Sequence, residues 1–227
     1  MTRFRKTKEP LVKICGLNTL TVVEAAVDAG ADMIGFVFYE RSRRTVTPDL
    51  AEALGKDVTG VTRVALVVDA TDAEIDEITG TGVIDMLQVH GKEGPDRVLE
   101  LKKRTGLPVM KALKVATPAD VKQAYAYVGI ADHLLFDAKT PKGMKGALPG
   151  GNGISFDWNL LDGLNIDMPW MLSGGLNAEN VADAIRTTGA PGVDASSGVE
   201  DKPGVKNPDR IRAFLHAAKH ALLEPTT

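Results

Sequence analysis

Short apolar, β-branched runs recur along the chain with polar, helically patterned stretches between most of them. They are LVKIC at 11–15, MIGFVF at 33–38, RVALVV at 63–68, MLQVH at 86–90, PVMKAL at 108–113, HLLFD at 133–137, WMLSG at 170–174 and GVDAS at 192–196. Helices are predicted over 20–29, ending at Gly30, over 48–55, opened by Pro48, and over 72–78, ending at Gly80. Pro95, Pro118, Asn177 and Pro208 stand at or near the start of further helical stretches; a proline's missing N–H is tolerated in a first turn. Strand–helix alternation demands a parallel sheet, and eight near-equal units favour closure into a (β/α)8 TIM barrel of one domain. An open, doubly wound sheet is the alternative that the pattern leaves open. The barrel is expected over residues 11–222, behind a polar extension at 1–10.

One segment breaks the rhythm. Between Asp137 and Trp158 runs AKTPKGMKGALPGGNGISFD, rich in Gly, Lys and Pro and too irregular for a minimal connection. Residues 139–156 are expected to form a loop over the active face, the alternative being a surface insertion.

Composition narrows the function classes. At 227 residues, 44% apolar and 25% charged, the chain fits one globular core and shows no sign of disorder or of a disulfide scaffold. A net charge of −3 supplies no broad field for nucleic acid, so none is expected as a partner. The basic start MTRFRKTKEP is followed by only LVKIC before a glycine, too short for a signal peptide. No apolar run approaches the ~20 residues that would cross a bilayer. A cytoplasmic location and no membrane partner are expected. The single cysteine, Cys15, has no internal disulfide partner and is either a small core residue or a reactive thiol.

In a (β/α)8 barrel the chemistry sits at the carboxyl ends of the strands. Cys15, His90, Asp137 and Asp194 stand there, Arg44 lies just past the second run, and Lys13 and Lys111 lie deeper. Period-2 alternation puts Lys13 and Cys15 on one face, away from Val12 and Ile14. A lysine is ill suited to face apolar helices, so this face is expected to point into the barrel mouth, as is the face shared by Leu135 and Asp137. The first and sixth runs are three steps apart around the ring, close enough for a small ligand to lie between them. The loops after the seventh and eighth runs, SGGLNAEN at 173–180 and SSGVEDKPG at 196–204, are rich in exposed N–H groups, and the first opens into a helix near Asn177. Such turns hold phosphate in barrels of this kind, and Gly174 and Gly175 let the backbone approach an anion.

The segments KICGLN at 13–18, GADMIGFVFYERSRRTVTP at 30–48, QVHG at 88–91, FDAK at 136–139, GGNGISFDW at 150–158, SGGLNAENV at 173–181 and GVDASSGVEDKPGVK at 192–206 resemble phosphoribosylanthranilate isomerases, in order and at plausible spacing. The resemblance implies a cofactor-free, metal-free Amadori rearrangement of a phosphorylated sugar amine in tryptophan biosynthesis. It implies Cys15 as general base and Asp137 as general acid. It also implies Arg44, or its neighbour Arg43, as the grip on the anthranilate carboxylate, and Asp194 near the ring. Phosphate falls to Gly174, Gly175, Leu176, Ser196 and Ser197. Lys13, grouped with the substrate-binding positions, is placed to stabilise a thiolate. His90 is grouped there too, its alternative being a structural hydrogen-bonding residue, while Lys111 is an interior ion-pair partner or a substrate contact. The family's usual G-G-T-G reads Gly150, Gly151, Asn152, Gly153, and the loop before it is stretched by KGMKGALP. A histidine-pathway Amadori isomerase, built on two aspartates, fits a first-strand cysteine poorly, and a metal-dependent epimerase would need more strand-end ligands than four histidines offer. A noncatalytic phosphosugar sensor would not need both an acid and a base. The oligomeric state is left open between monomer and homodimer.

Overall fold

The computed structural model describes residues 10–139, 150–151, 153 and 155–223. Most of the expected 1–10 extension, and most of the loop expected over 139–156, lie outside the described residues. Eight parallel strands run in chain order: β1 Leu11–Cys15, β2 Met33–Phe38, β3 Thr62–Val67, β4 Met86–Val89, β5 Val109–Val115, β6 His133–Ala138, β7 Trp170–Leu172 and β8 Gly192–Ala195. β1 pairs with both β2 and β8, so the sheet closes on itself and leaves no edge. The open-sheet alternative is thereby excluded.

Helices α1 Leu20–Asp28, α2 Pro48–Gly55, α3 Asp72–Gly80, α4 Pro95–Thr105, α5 Pro118–Lys122, α6 Val181–Thr188 and α7 Pro208–Leu223 surround the barrel. Their ends follow local chemistry. Thr47 caps α2 ahead of Pro48, and Thr71 with Glu74 forms a reciprocal capping box on α3. Gly106, at φ 69°, ends α4 behind a last turn carrying Lys102, Lys103 and Arg104. α6 starts at Val181 rather than near Asn177, because Asn177 accepts the N–H groups of Glu179 and Asn180 and so folds its own turn first. Between β6 and β7 the described residues form only a 3-10 turn, Trp158–Leu161. Past β8 a small antiparallel hairpin, β9 Glu200–Lys202 and β10 Val205–Lys206, precedes α7.

The apolar residues divide by strand parity. Met33, Val64, Met86, Met110, Ala112, Leu135 and Met171 fill the barrel interior, while Ile34, Phe36, Leu87, Leu134 and Phe136 join the larger layer against the helices. Lys111 follows the outward parity of Val109 and Leu113. Its ammonium meets Glu93 Oε2 at 2.9 Å, the Gly91 carbonyl at 3.0 Å and the ring of Tyr127, whose hydroxyl donates to the Glu93 carbonyl. It is an ion-pair partner, but outside the barrel, where it pins the β4–α4 connection.

Phe36 is fully buried in the outer layer. Phe36→Ala is expected to remove about 3–5 kcal/mol of unfolding free energy in urea titration, whereas Leu99→Ala, at an exposed α4 position, should stay within about 0.5 kcal/mol of the parent.

Candidate active site

The seam where the barrel closes sets the first group of side chains. Parallel register places Lys13 beside Asp194 and Cys15 beside Gly35. Lys13 Nζ donates to Asp194 Oδ1 at 2.9 Å, and Ser173 Oγ donates to Oδ2 at 3.2 Å, so the buried carboxylate is held from two sides. A Cβ at position 35 would lie 2.9 Å from Cys15 Sγ and 3.3 Å from Lys13 Nζ, so glycine there makes the room both side chains occupy. Burial alone would lower the Lys13 pKa, but the charge of Asp194, aided by Cys15, keeps this wholly buried amine above its ordinary value. For Cys15 burial is the largest influence and pushes the thiol up; Lys13 and Lys206 pull it down and Asp194 opposes them, with a net rise. The resting group is therefore a thiol, with the ammonium placed to favour its anion.

Across the mouth, Asp137 Oδ1 accepts the N–H of Ala138 at 2.9 Å, and His90 Nε2 stands 3.2 Å from Oδ2. That approach is close but not aligned as a hydrogen bond. Gln88 Nε2 lies 3.3 Å from His90 Nδ1, a contact whose donor is set by the tautomer of the ring. The backbone at Gly150 seats on this pair, since a Cβ would come within 2.8 Å of Asp137 Oδ2 and 2.7 Å of His90 Cε1.

The third group surrounds Arg44. Arg43 is exposed, whereas Arg44 is buried and lines the cavity. Its Nε and Nη2 form a two-pronged contact with Glu200, at 2.7 Å to Oε1 and 2.8 Å to Oε2, and Nη2 also donates to the Gly151 carbonyl at 3.1 Å. Lys206 Nζ meets Glu200 Oε1 at 2.8 Å and the Ser196 carbonyl at 2.8 Å. Burial would raise the Glu200 carboxyl, but hydrogen bonding to Arg44 and the nearby Lys206 hold it low; burial pulls Lys206 down to about 8 against the attraction of Glu200. Gly16, at φ 82°, carries the chain away from Cys15, and a Cβ on it would lie 2.6 Å from Arg44 Cδ.

The rim is made by the turns after β7 and β8. Gly174 and Gly175 take φ of 95° and 66°, which glycine alone adopts without strain. A Cβ at Gly198 would lie 1.9 Å from the Leu176 carbonyl, so the two turns pack directly on each other. Ser196 Oγ donates to the Cys15 carbonyl at 3.0 Å, tying the rim to the strand that carries the thiol. One cavity is lined by Cys15, Arg44, His90, Asp137 and Asp194 together with Gly174, Gly175, Leu176, Ser196 and Ser197. Of the candidate site residues singled out from the sequence, Lys13, Lys111 and the exposed Arg43 do not line it.

Several members were not legible beforehand. Gln88 shares strand parity with His90, a signal that was present. Ser173, Glu200 and Lys206 lie inside the recognised segments, but nothing local reveals their partners. Lys114 shares the inward parity of Met110 and Ala112 and sits in register with Asp137; burial, then Lys111, lowers its pKa. Among the described residues no group of three or more His, Cys, Asp or Glu side chains is placed to hold a metal ion, and no helix is long and apolar enough to cross a membrane.

Polar and titratable groups gathered at the carboxyl ends of eight parallel strands define the chain as a (β/α)8-barrel enzyme. The family model described as N-(5'-phosphoribosyl)anthranilate (PRA) isomerase matches residues 12–217, and the chain belongs to that family. The N-(5'-phosphoribosyl)anthranilate isomerase of Parvibaculum lavamentivorans is 56% identical over 211 residues, spanning 92% of this chain and 98% of that one. The crystal structure of the Thermotoga maritima phosphoribosylanthranilate isomerase superposes with a TM-score of 0.83 at 34% identity, covering 93% and 99% of the two chains. A phosphoribosylanthranilate isomerase in complex with reduced 1-(o-carboxyphenylamino)-1-deoxyribulose 5-phosphate superposes at 0.80 with 32% identity, covering 93% and 99%.

Removing one partner of a buried ion pair strands the other charge, at a cost of about 3–5 kcal/mol. Asp194→Leu should show that loss in chemical denaturation and Lys13→Met/Asp194→Leu should recover most of it; a single variant within about 1 kcal/mol of the parent would contradict the pairing. Alkylation of Cys15 by iodoacetamide should accelerate through a midpoint above the ordinary thiol value of about 8.5. Lys13→Met should move that midpoint higher still, because the ammonium favours the anion.

Proposed function

We propose that the protein converts N-(5-phosphoribosyl)anthranilate to 1-(2-carboxyphenylamino)-1-deoxyribulose 5-phosphate, the Amadori step of tryptophan biosynthesis, with its own side chains and no cofactor. The observation that carries this reading is the placement of a buried thiol and a buried carboxyl on one cavity, between a glycine-rich rim and a buried arginine. The relatives bear the name of this activity, and one of them holds a reduced analogue of the product.

Asp137, in its protonated form, gives a proton to the furanose ring oxygen as the C1′–O bond breaks, and the anilino nitrogen lone pair forms the iminium. That cation acidifies the C2′ hydrogen, and the Cys15 thiolate removes it; the C–H electrons become the C1′–C2′ double bond of the enolamine, which tautomerises to the ketone. Lys13 and Lys206 favour the thiolate against burial. His90 stands beside the proton-donating carboxyl. Gly174, Gly175, Leu176, Ser196 and Ser197 receive the phosphate, where exposed backbone N–H groups attract an anion. Arg44 receives the ring carboxylate and Asp194 lies near the ring.

Decay of the fluorescence of freshly generated phosphoribosylanthranilate tests the assignment. Cys15→Ser and Asp137→Asn should each slow turnover at least tenfold, toward the 10²–10⁴ range typical of a lost acid or base, with circular dichroism unchanged. A full-rate variant removes that residue from the mechanism.

A further inference from the structure

We propose that Lys206, acting through Glu200, determines specificity by leaving the Arg44 corner with one unbalanced positive charge, which selects a substrate whose ring carries a carboxylate. The inference rests on the reading that Arg44 meets that carboxylate, and it concerns what makes Arg44 able to do so. A guanidinium has five N–H donors. Nε and Nη2 of Arg44 are committed to Glu200 and the Gly151 carbonyl, so the side chain is locked in plane, with Nη1 beside Gly151 and given no hydrogen bond among the described residues. Fixing the plane suits a planar, charge-assisted contact.

Arg44 and Glu200 alone would cancel, and a neutral pair has little pull on an anion. Lys206 bonds the same Glu200 oxygen that Arg44 Nε uses, so two cations share one carboxylate. Arg44, Glu200 and Lys206 are 5%, 7% and 6% exposed, so the excess charge is poorly solvated. Buried charge without a counterion is costly, and an arriving carboxylate brings the count to zero. The neighbouring cation supplies no surplus, because Lys13 is already matched by Asp194. Lys206 is also bound to the Ser196 carbonyl and hydroxyl, and Ser196 to the Cys15 carbonyl, so the charged corner is fixed relative to the thiol. Glu200 additionally accepts from the Gly204 N–H at 3.3 Å, a purely structural service to the hairpin that any test must separate from selectivity.

Competitive inhibition by reduced 1-(2-carboxyphenylamino)-1-deoxyribulose 5-phosphate, and by the same compound without the ring carboxylate, makes that separation. The parent protein should prefer the carboxylated compound at least tenfold. Lys206→Met, with the corner neutral, should lose at least fivefold of that preference through weaker binding of the carboxylated compound, the other changing less than twofold. Glu200→Gln/Lys206→Met restores a single positive charge and should regain at least half of the lost preference on a logarithmic scale, which repair of a structural defect would not do. Should Lys206→Met fail to fold, Lys206→Gln keeps a donor for the Ser196 carbonyl and carries the same expectation. Undiminished preference in the lysine variant, or a double variant no better than the single, overturns the inference alone. A parent protein that does not distinguish the two compounds overturns the placement of the carboxylate on Arg44 as well.

Discussion

The barrel closes where β1 meets β8, and at that seam a wholly buried lysine faces a buried aspartate. The remainder of the site hangs on this contact. Cys15 lies two positions along the same strand face, Ser173 just past β7 adds a hydrogen bond to the aspartate, and Ser196 just past β8 bonds back to the Cys15 carbonyl. An ammonium so deeply buried is tolerated only because its counterion is fixed by strand register rather than by a flexible surface contact. The pair therefore ties the closure of the sheet to the position and ionisation of the thiol.

Close backbone approach is a second constraint, and glycine meets it where a methyl group would collide. At Gly35 the space goes to a sulfur and an ammonium, at Gly150 to the Asp137–His90 pair, and at Gly198 to the turn after β7. These positions do not share one backbone conformation: Gly174 and Gly175 need positive φ, whereas Gly35 is an ordinary strand residue whose missing side chain is the point. Counting glycines in a motif does not separate these demands.

Charge is distributed unevenly around the mouth. The seam is balanced by one lysine and one aspartate, and the outer Lys111–Glu93 pair is balanced as well, stabilising a connection outside the barrel. The Arg44 corner holds two cations on one glutamate. That local excess of cations is built without net positive charge on the whole chain, whose formal charge is −3.

Local rules of the chain decided the architecture. Alternation of apolar and polar positions, and the proline, threonine and glycine punctuation at helix ends, act over a few residues, so all eight strands and nearly every helix start were legible from them. The strand parity of Lys13, Cys15 and Asp137 was legible for the same reason. Asn177 misled because an asparagine that caps its own turn competes with the helix it was expected to open. Tertiary structure alone decided who meets whom. Arg44 and Glu200 lie 156 residues apart and Lys13 and Asp194 lie 181 apart; no local preference encodes such partners, because they exist only once a closed ring has brought distant strand ends to one opening. The burial of Arg44 beside an exposed Arg43, the outward turn of Lys111 and the contact of Lys206 with Glu200 were decided there, by burial and register acting across the barrel.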